Sequence, residues 1–223
     1  MTHTPVAAAL IGGLLALSAA APAGRAAPEW PGALPYGLDW GMSLEQVLET
    51  GIRLEYAELQ GQFGHEYLAF DLARWLGDEG QVFLYFGYDD RLWRIAVHSK
   101  GYSDEGYGTA LLERYEELKA MLDSTFGPGE EVRELHHSAV SEPRRTVGTI
   151  QLGASWVFTE YQSETGHVQL GLRARNLWTG YTALYIKNLE MEAKVLADAE
   201  ARKSRLAAGE EEPFPAPHLV LDR

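Results

Sequence analysis

Between Gln81 and His98, apolar side chains recur at every second position on both sides of Asp89-Asp90: Val82, Leu84 and Phe86 on one limb, Trp93, Ile95 and Val97 on the other. A period of two is that of a β-strand, and a short acidic break between two such limbs reads as a hairpin. A two-residue turn at Asp89-Asp90 pairs Tyr88 with Arg91, Phe86 with Trp93, Leu84 with Ile95 and Val82 with Val97. These residues share one face, which is almost entirely apolar. The opposite face pairs Tyr85 with Arg94, Phe83 with Ala96 and Gln81 with His98. It is half apolar, so partial cover is expected there. A hairpin of this kind commits the chain to antiparallel sheet with one fully buried side, which helices or a second layer must cover.

The sequence supplies the helices. Ser43 and Gln46 have the spacing of a capping box, flanked by Met42 and Val47 at the staple positions, and Gly51 ends the helix after about two turns. Leu111, Tyr115, Leu118, Met121, Leu122 and Phe126 recur at helical steps over 109–126, and Gly127-Pro128 stops that helix. Asn188 is placed to cap a last, strongly charged helix running to about Ala208. Further strands are predicted at 52–60 and 65–72, with Gly61 and Gly64 in their turn, and at about 131–139, 150–161, 167–175 and 180–187. On the strand at 167–175, Val168, Leu170, Leu172 and Ala174 form one face, and His167, Gln169, Arg173 and Arg175 form the other. The expected fold class is α+β. Antiparallel sheets pack with helices in tandem helix-plus-four-strand units at about 36–100 and 101–188, followed by a surface helix at 189–208.

The two ends read differently. Val6 to Ala23 is apolar and free of charge, too short and too rich in Ala and Gly for a confident membrane span. Residues 1–26 read as a secretory signal peptide, with cleavage near Ala23 or Ala26; retention as an anchor is the competing reading. No second apolar stretch of spanning length follows. The expected location is therefore the periplasm or the extracellular space. Residues 27–35 are a proline-rich, extended lead-in, and 209–223 are expected to be a disordered tail.

The chain has 223 residues, a formal net charge of −13 and no cysteine. A chain this acidic repels phosphate backbones, so nucleic acid is an unexpected partner. Without cysteine there is no disulfide, thiolate metal site or lipidated cysteine. His136-His137 adjoin on a predicted strand, where their side chains point to opposite faces. His65, His98 and His167 stand alone, and no HExxH pattern is present, so no metal or cofactor is expected. Glu66 with Asp71, or Glu160 with Glu164, supply carboxylate pairs for acid–base hydrolysis, but abundant acidic residues make such pairs common. Neither Ser155 nor Ser103 sits in a nucleophile-elbow pattern, and no phosphate-cradling glycine loop occurs; the glycine-rich Tyr102–Gly108 stretch carries two acidic residues.

The run Trp40-Gly41-Met42-Ser43-Leu44-Glu45-Gln46-Val47-Leu48 resembles the segment that opens each repeat of β-lactamase-inhibitory proteins, and the opening of the small outer-membrane assembly lipoproteins. Phe126-Gly127-Pro128 is similar to the end of the long helix in exported bacterial proteins with this opening. The resemblance covers about ten residues plus the order of elements. It implies a protein that works by surface contact and carries no catalytic residues. The chain departs from the inhibitors by lacking every cysteine, and from the lipoproteins by lacking the lipidated one, so neither partner carries over.

The expected function is non-catalytic binding of a protein partner, with Phe83, Tyr85, Arg94, Arg173 and Arg175 as candidate contact residues. Arg173 and Arg175 share a face and meet Tyr85 and Arg94 only if the two sheets adjoin. An ordinary outer face with cross-strand ion pairs is the plainer reading of these residues, as it is of His98 and Lys100. The alternative function is binding of a small ligand on the half-apolar face around Phe83 and Tyr85; a carboxylate hydrolase is the third. Mass spectrometry of exported protein is expected to show a chain starting near Gly24 or Ala27; an intact Met1 start refutes the signal-peptide reading.

Overall fold

A computed structural model describes residues 34–57, 63–103 and 107–209. The signal-peptide, lead-in and tail readings over 1–33 and 210–223 lie outside these residues. The first half follows the predicted order, with α1 (Leu44–Glu49), β1 (Arg53–Tyr56), β2 (His65–Phe70), β3 (Glu79–Phe86) and β4 (Leu92–Ser99), and adds the two-residue β5 (Tyr102–Ser103). The second half holds α2 (Thr109–Phe126), β6 (Glu130–Glu134), α3 (His137–Ser141), α4 (Thr146–Gln151), β7 (Trp156–Gln162), β8 (Gly166–Ala174), β9 (Thr179–Asn188) and α5 (Leu189–Ala208).

Among the described residues nine strands form one antiparallel sheet, in the order β1-β2-β3-β4-β9-β8-β7-β6, with β5 beside β9. Each half is a four-stranded meander. The last strand of the first half, β4, pairs directly with the last strand of the second, β9, from Arg94↔Lys187 to His98↔Ala183. The fold is thus α+β with helix-plus-four-strand units, as the pattern predicts, and the two units share one sheet.

One face of that sheet is the core. Leu54, Val82, Val97, Leu184 and Leu170 form a row across strands of both halves, and Tyr67, Leu84, Ile95, Ile186 and Val168 form the next. Val47 of α1, Leu111, Tyr115, Leu118 and Leu122 of α2, and Val147 of α4 belong to the same buried cluster. Full burial of a side chain of this size stabilises by about 1.5–3 kcal/mol, so this face carries most of the folding energy. The α1 cap forms as its sequence predicts: Ser43 N–H donates to Gln46 Oε1 at 2.8 Å, and Gln46 N–H donates to Ser43 Oγ at 3.2 Å. Met42 and Gly41 bond to the Leu92 backbone, which pins α1 to the start of β4. α2 approaches β9 so closely at Gly180 that a Cβ there would collide with Leu111 Cδ2. Glycine is what allows the helix to seat.

The β3–β4 hairpin differs from the expected pairing in its turn. Gly87 N–H donates to Arg91 O, which encloses three residues, Tyr88 to Asp90, with Asp90 at a φ of +55°. A three-residue loop of this kind needs one left-handed residue, and Asp tolerates that conformation. The extra residue shifts the register by one near the turn, so Phe86 faces Leu92 instead of Trp93, and Tyr88–Arg91 pairing is absent. A bulge at Trp93 then restores the predicted register, with Tyr85↔Arg94, Leu84↔Ile95 and Val82↔Val97. The bulge turns Trp93 toward Tyr85, with ring centroids 6.3 Å apart, while Phe86 and Leu92 both stay in the core.

Two predicted strands are shortened by helices. The strand expected at 131–139 ends at Glu134, and His136-His137 open α3 instead: His136 is its N-cap, with Nδ1 accepting from Ser138 N–H. The strand expected at 150–161 begins only at Trp156, because Thr146–Gln151 is helical. The β-branched run Thr146, Val147, Thr149, Ile150 favours a strand locally. Tertiary packing overrides it: Val147 is wholly buried in the core, and buried Thr149 Oγ1 accepts from Ser155 Oγ at 2.7 Å. At the start of the described chain, Leu34 is extended and Pro35–Gly37 forms a 3-10 turn, with Tyr36 at a φ of +66°.

Beneath α2, the Tyr115 hydroxyl and Thr159 Oγ1 lie 2.5 Å apart, and both residues are fully buried. Thr159→Val leaves the Tyr115 hydroxyl without its partner, at an expected cost of about 1–3 kcal/mol. Adding Tyr115→Phe is expected to recover part of that loss. Urea unfolding of the two single variants and the double variant measures the coupling; additive costs would show that the pair contributes nothing as a pair.

Candidate functional site

The sheet face opposite the core is the candidate site. Alternation puts Leu68, Phe83, Ala96, Tyr185, Gln169 and Glu160 in one row across it. On one side of that row lie Glu66, Tyr85, Arg94, Lys187 and His167, and on the other Gln81, His98, Ala183, Gly171 and Phe158. Beyond these, Arg173 faces Tyr181. α1, α2 and α4 all pack on the core face. α5 leaves β9 and lies against the β3–β4 turn, with Val195 buried against Gly87, and Lys194 paired with Asp89. A Cβ on Gly87 would come within 2.7 Å of Val195, so glycine sets how closely α5 approaches. Along the rest of the central strands, among the described residues, this face has no covering helix.

The β4–β9 pairing places all five contact residues predicted from the sequence on this continuous face. Phe83, Tyr85 and Arg94 lie together toward the α5 end. Arg173 and Arg175 lie at the other end. Arg94 and Arg173 align with Lys187 and Tyr181 of β9, six residues apart, or about 20 Å along a strand. They therefore flank the face and do not meet. Between them lie side chains that the sequence pattern did not single out as contact residues: Tyr181 and Tyr185, alternating along β9 with the buried Thr182, Leu184 and Ile186, and His98. That alternation is visible in the sequence, but without the β4–β9 pairing nothing joins it to Phe83 and Tyr85.

The contacts on this face are mostly aromatic and cationic. The Arg94 guanidinium lies 4.7 Å from the ring centres of both Tyr85 and Tyr185, and Arg175 lies 5.5 Å from that of Tyr181. His98 packs among Phe83, Tyr181 and Tyr185, with ring centres 5.1–6.1 Å away. Its Nε2 is buried without a hydrogen-bond partner. Burial first, and then the charges of Arg175, Arg173 and Arg94, push its pKa down to about 4, so the ring is neutral near pH 7. Glu66, at the edge of the face, has its pKa raised by burial, against the opposing effects of the Tyr85 hydroxyl and Arg94.

The two carboxylate pairs considered for hydrolysis fall into ordinary contacts. Asp71 bonds to Arg53 at 3.4 Å, while Glu66 faces Tyr85 across β2–β3. Glu160 accepts from Gln169 Nε2 at 2.7 Å and lies 3.6 Å from His167 Nε2. Glu164 is exposed in the β7–β8 turn. Among the described residues no group of three or more His, Asp or Glu side chains is arranged to hold a metal ion. Nor is any helix there long and apolar enough to cross a membrane.

Three open hollows of about 310–440 Å³ surround the sheet. Neither Phe83 nor Tyr85 lines any of them. The hollow of about 440 Å³ is walled by Tyr107, Arg144, Arg145 and Trp178, beside the β8–β9 turn. Near it, Val140, Leu152, Trp156 and Leu177 are also exposed around α3 and α4.

The sequence matches no protein-family model, and comparison with curated proteins and with solved structures finds no match. Because the folded state holds His98 neutral to about pH 4 while an unfolded histidine protonates near 6.5, the unfolded chain takes up the proton first as pH falls. Stability contributed by neutral His98 is therefore complete above about pH 6.5 and declines toward pH 4. Urea midpoints between pH 7 and 4 are expected to fall less steeply in His98→Phe than in the parent; parallel curves would refute the assignment.

Proposed function

We propose that this chain is an exported, non-catalytic protein-binding module of the periplasm or extracellular space, and that the sheet face opposite the core is its contact surface. The observation that carries this reading is the segregation of the sheet into two faces. One is a closed apolar core under α1, α2 and α4. The other bears partly buried Phe83, Tyr85, Tyr181 and Tyr185 interleaved with Arg94 and Arg173. Tyr and Arg are the residue types that carry binding energy at protein interfaces, and a broad sheet presents them on a rigid, preformed surface. The opening motif adds to this reading, since its resemblance is to proteins that act by surface contact. A small-ligand role has less support, because the hollows of about 310–440 Å³ around the sheet are lined by neither Phe83 nor Tyr85.

The test is photo-crosslinking with p-benzoylphenylalanine in place of Tyr185, on the open face, or of Glu113, on the exposed side of α2. In periplasmic extract the Tyr185 position is expected to form a discrete protein adduct that the Glu113 position does not form. Adducts of equal yield from both positions, or none from Tyr185, would refute the sheet face as the contact surface.

A further inference from the structure

We infer that the partner meets this face with an acidic protein segment, whose carboxylates pair with Arg94 at one end of the central strands and with Arg173 and Arg175 at the other. This inference rests on the protein-binding reading and specifies its chemistry. The chain carries 32 aspartates and glutamates, yet β4, β9 and β8, three of the four central strands of the sheet, contain none; β3, the fourth, holds Glu79 at its start, bonded to the backbone of Trp75, Leu76 and Gly77. Burial alone would remove charge of both signs from these strands. Instead Arg94 and Arg173 remain on their open face, with Arg175 just beyond β8 and Lys187 paired with Glu192 at 2.8 Å. The loss of charge is one-sided.

The arginines of the face combine two features: they hold no carboxylate, which Arg74, Arg91 and Arg144 share among the described residues, and Arg94 and Arg175 lie against tyrosine rings. Arg53, Arg114, Arg133 and Arg145 each hold a carboxylate in a salt bridge. Among the described residues, Arg94, Arg173 and Arg175 have no carboxylate within 4 Å. Arg94 is held between Tyr85 and Tyr185, and Arg175 lies against Tyr181. Arg173 Nη1 donates only to the Leu172 carbonyl, at 3.2 Å. A guanidinium has five N–H donors in a rigid fork, and stacking on an aromatic ring leaves its edge free for bidentate contact with a carboxylate. The tyrosines fix the forks in advance, which lowers the ordering cost of binding.

Glutamates flank the cationic centre. Glu66 lies on β2, and Glu130 and Glu160 face each other across β6 and β7. An acidic segment displaced toward either edge meets like charge, so the charge pattern selects alignment along β9. The backbones of Arg94 and Arg173 are offset by six residues along β9, about 20 Å of extended chain. The occupant is thus a short extended segment with carboxylates near both ends.

The probe is a fluorescein-labelled octaglutamate peptide, followed by anisotropy with the full-length protein at low salt. Octalysine is the control. Octaglutamate is expected to bind and to weaken steadily with added NaCl. Arg94→Glu and the double variant Arg173→Glu/Arg175→Glu are each expected to weaken it by about tenfold or more. Arg144→Glu makes the same unit charge reversal outside the face and is expected to leave affinity within about twofold. Circular dichroism checks folding; should the reversals fail to fold, Arg94→Gln and Arg173→Gln replace them. Absence of octaglutamate binding at low salt, equal binding of octalysine, or an equal loss in Arg144→Glu would overturn the inference. The Tyr185 crosslink separates the two levels. If it persists undiminished in the reversal variants, the face is a contact surface but the partner is not held through carboxylates. If it is absent from the parent protein, the contact-surface reading itself fails.

Discussion

The pairing of β4 with β9 is the constraint on which the rest of the structure depends. Each half of the chain could form its own meander, but a four-stranded sheet with a free apolar edge strand invites edge-to-edge association. Joining the halves at β4 and β9 removes both such edges at once and makes these strands central. Ile95 and Val97 then pack in the same rows as Ile186 and Leu184, so α1, α2 and α4 cover one shared core. The outer edges fall to β1 and β6, which carry Arg53, Glu55, Glu130, Glu131, Arg133 and Glu134. Charged edge strands resist further pairing. The same junction brings the alternating Tyr181 and Tyr185 beside Phe83, Arg94 and His98, and so produces the open face.

Local devices then tune that face. The bulge at Trp93 absorbs the extra turn residue at Asp90 and keeps Phe86 and Leu92 inward. It thereby keeps Tyr85 and Arg94 paired on the open side. Gly180 admits α2 to the core side of β9, and Gly87 admits α5 to the turn. These are close approaches of backbone to side chain, where a Cβ would push a helix away from the sheet. A face built this way is stiff, because its rows are set by strand hydrogen bonds on a packed core. Such stiffness is consistent with the proposed role as a contact surface, since a preformed surface binds with little ordering cost.

Much of the fold is legible in the sequence where a single period dominates. The helix at 109–126 has the predicted bounds, and the Ser43 box and Asn188 cap form as spaced. Legibility fails where local preference and tertiary packing disagree. Thr146 to Ile150 has the β-branched content of a strand, yet it forms a helix because Val147 is drawn into the core and Thr149 bonds to Ser155. His136-His137 fit a strand by pattern, but the His136 ring caps a helix instead. Within the candidate site, the pairs Phe83–Ala96 and Tyr85–Arg94 follow from alternation in one hairpin. The gathering of Tyr181, Tyr185 and His98 between the arginines does not, because it requires strands about 80 residues apart to be neighbours.

Alternation and capping chemistry act over a few residues, so the sequence by itself determined most of the elements, the buried side of most strands, and the lack of any acidic residue on β4, β8 and β9. The neighbour of each terminal strand is a choice among distant partners of similar local pattern, and only the tertiary structure decided it. That choice is made by the energy of burying two half-cores together, which depends on every row of the sheet at once and on no short stretch of sequence. With it came the one property of the site no single segment carries: two sets of arginines, drawn from opposite halves of the chain, set on one face among tyrosines and offset by about six residues along β9.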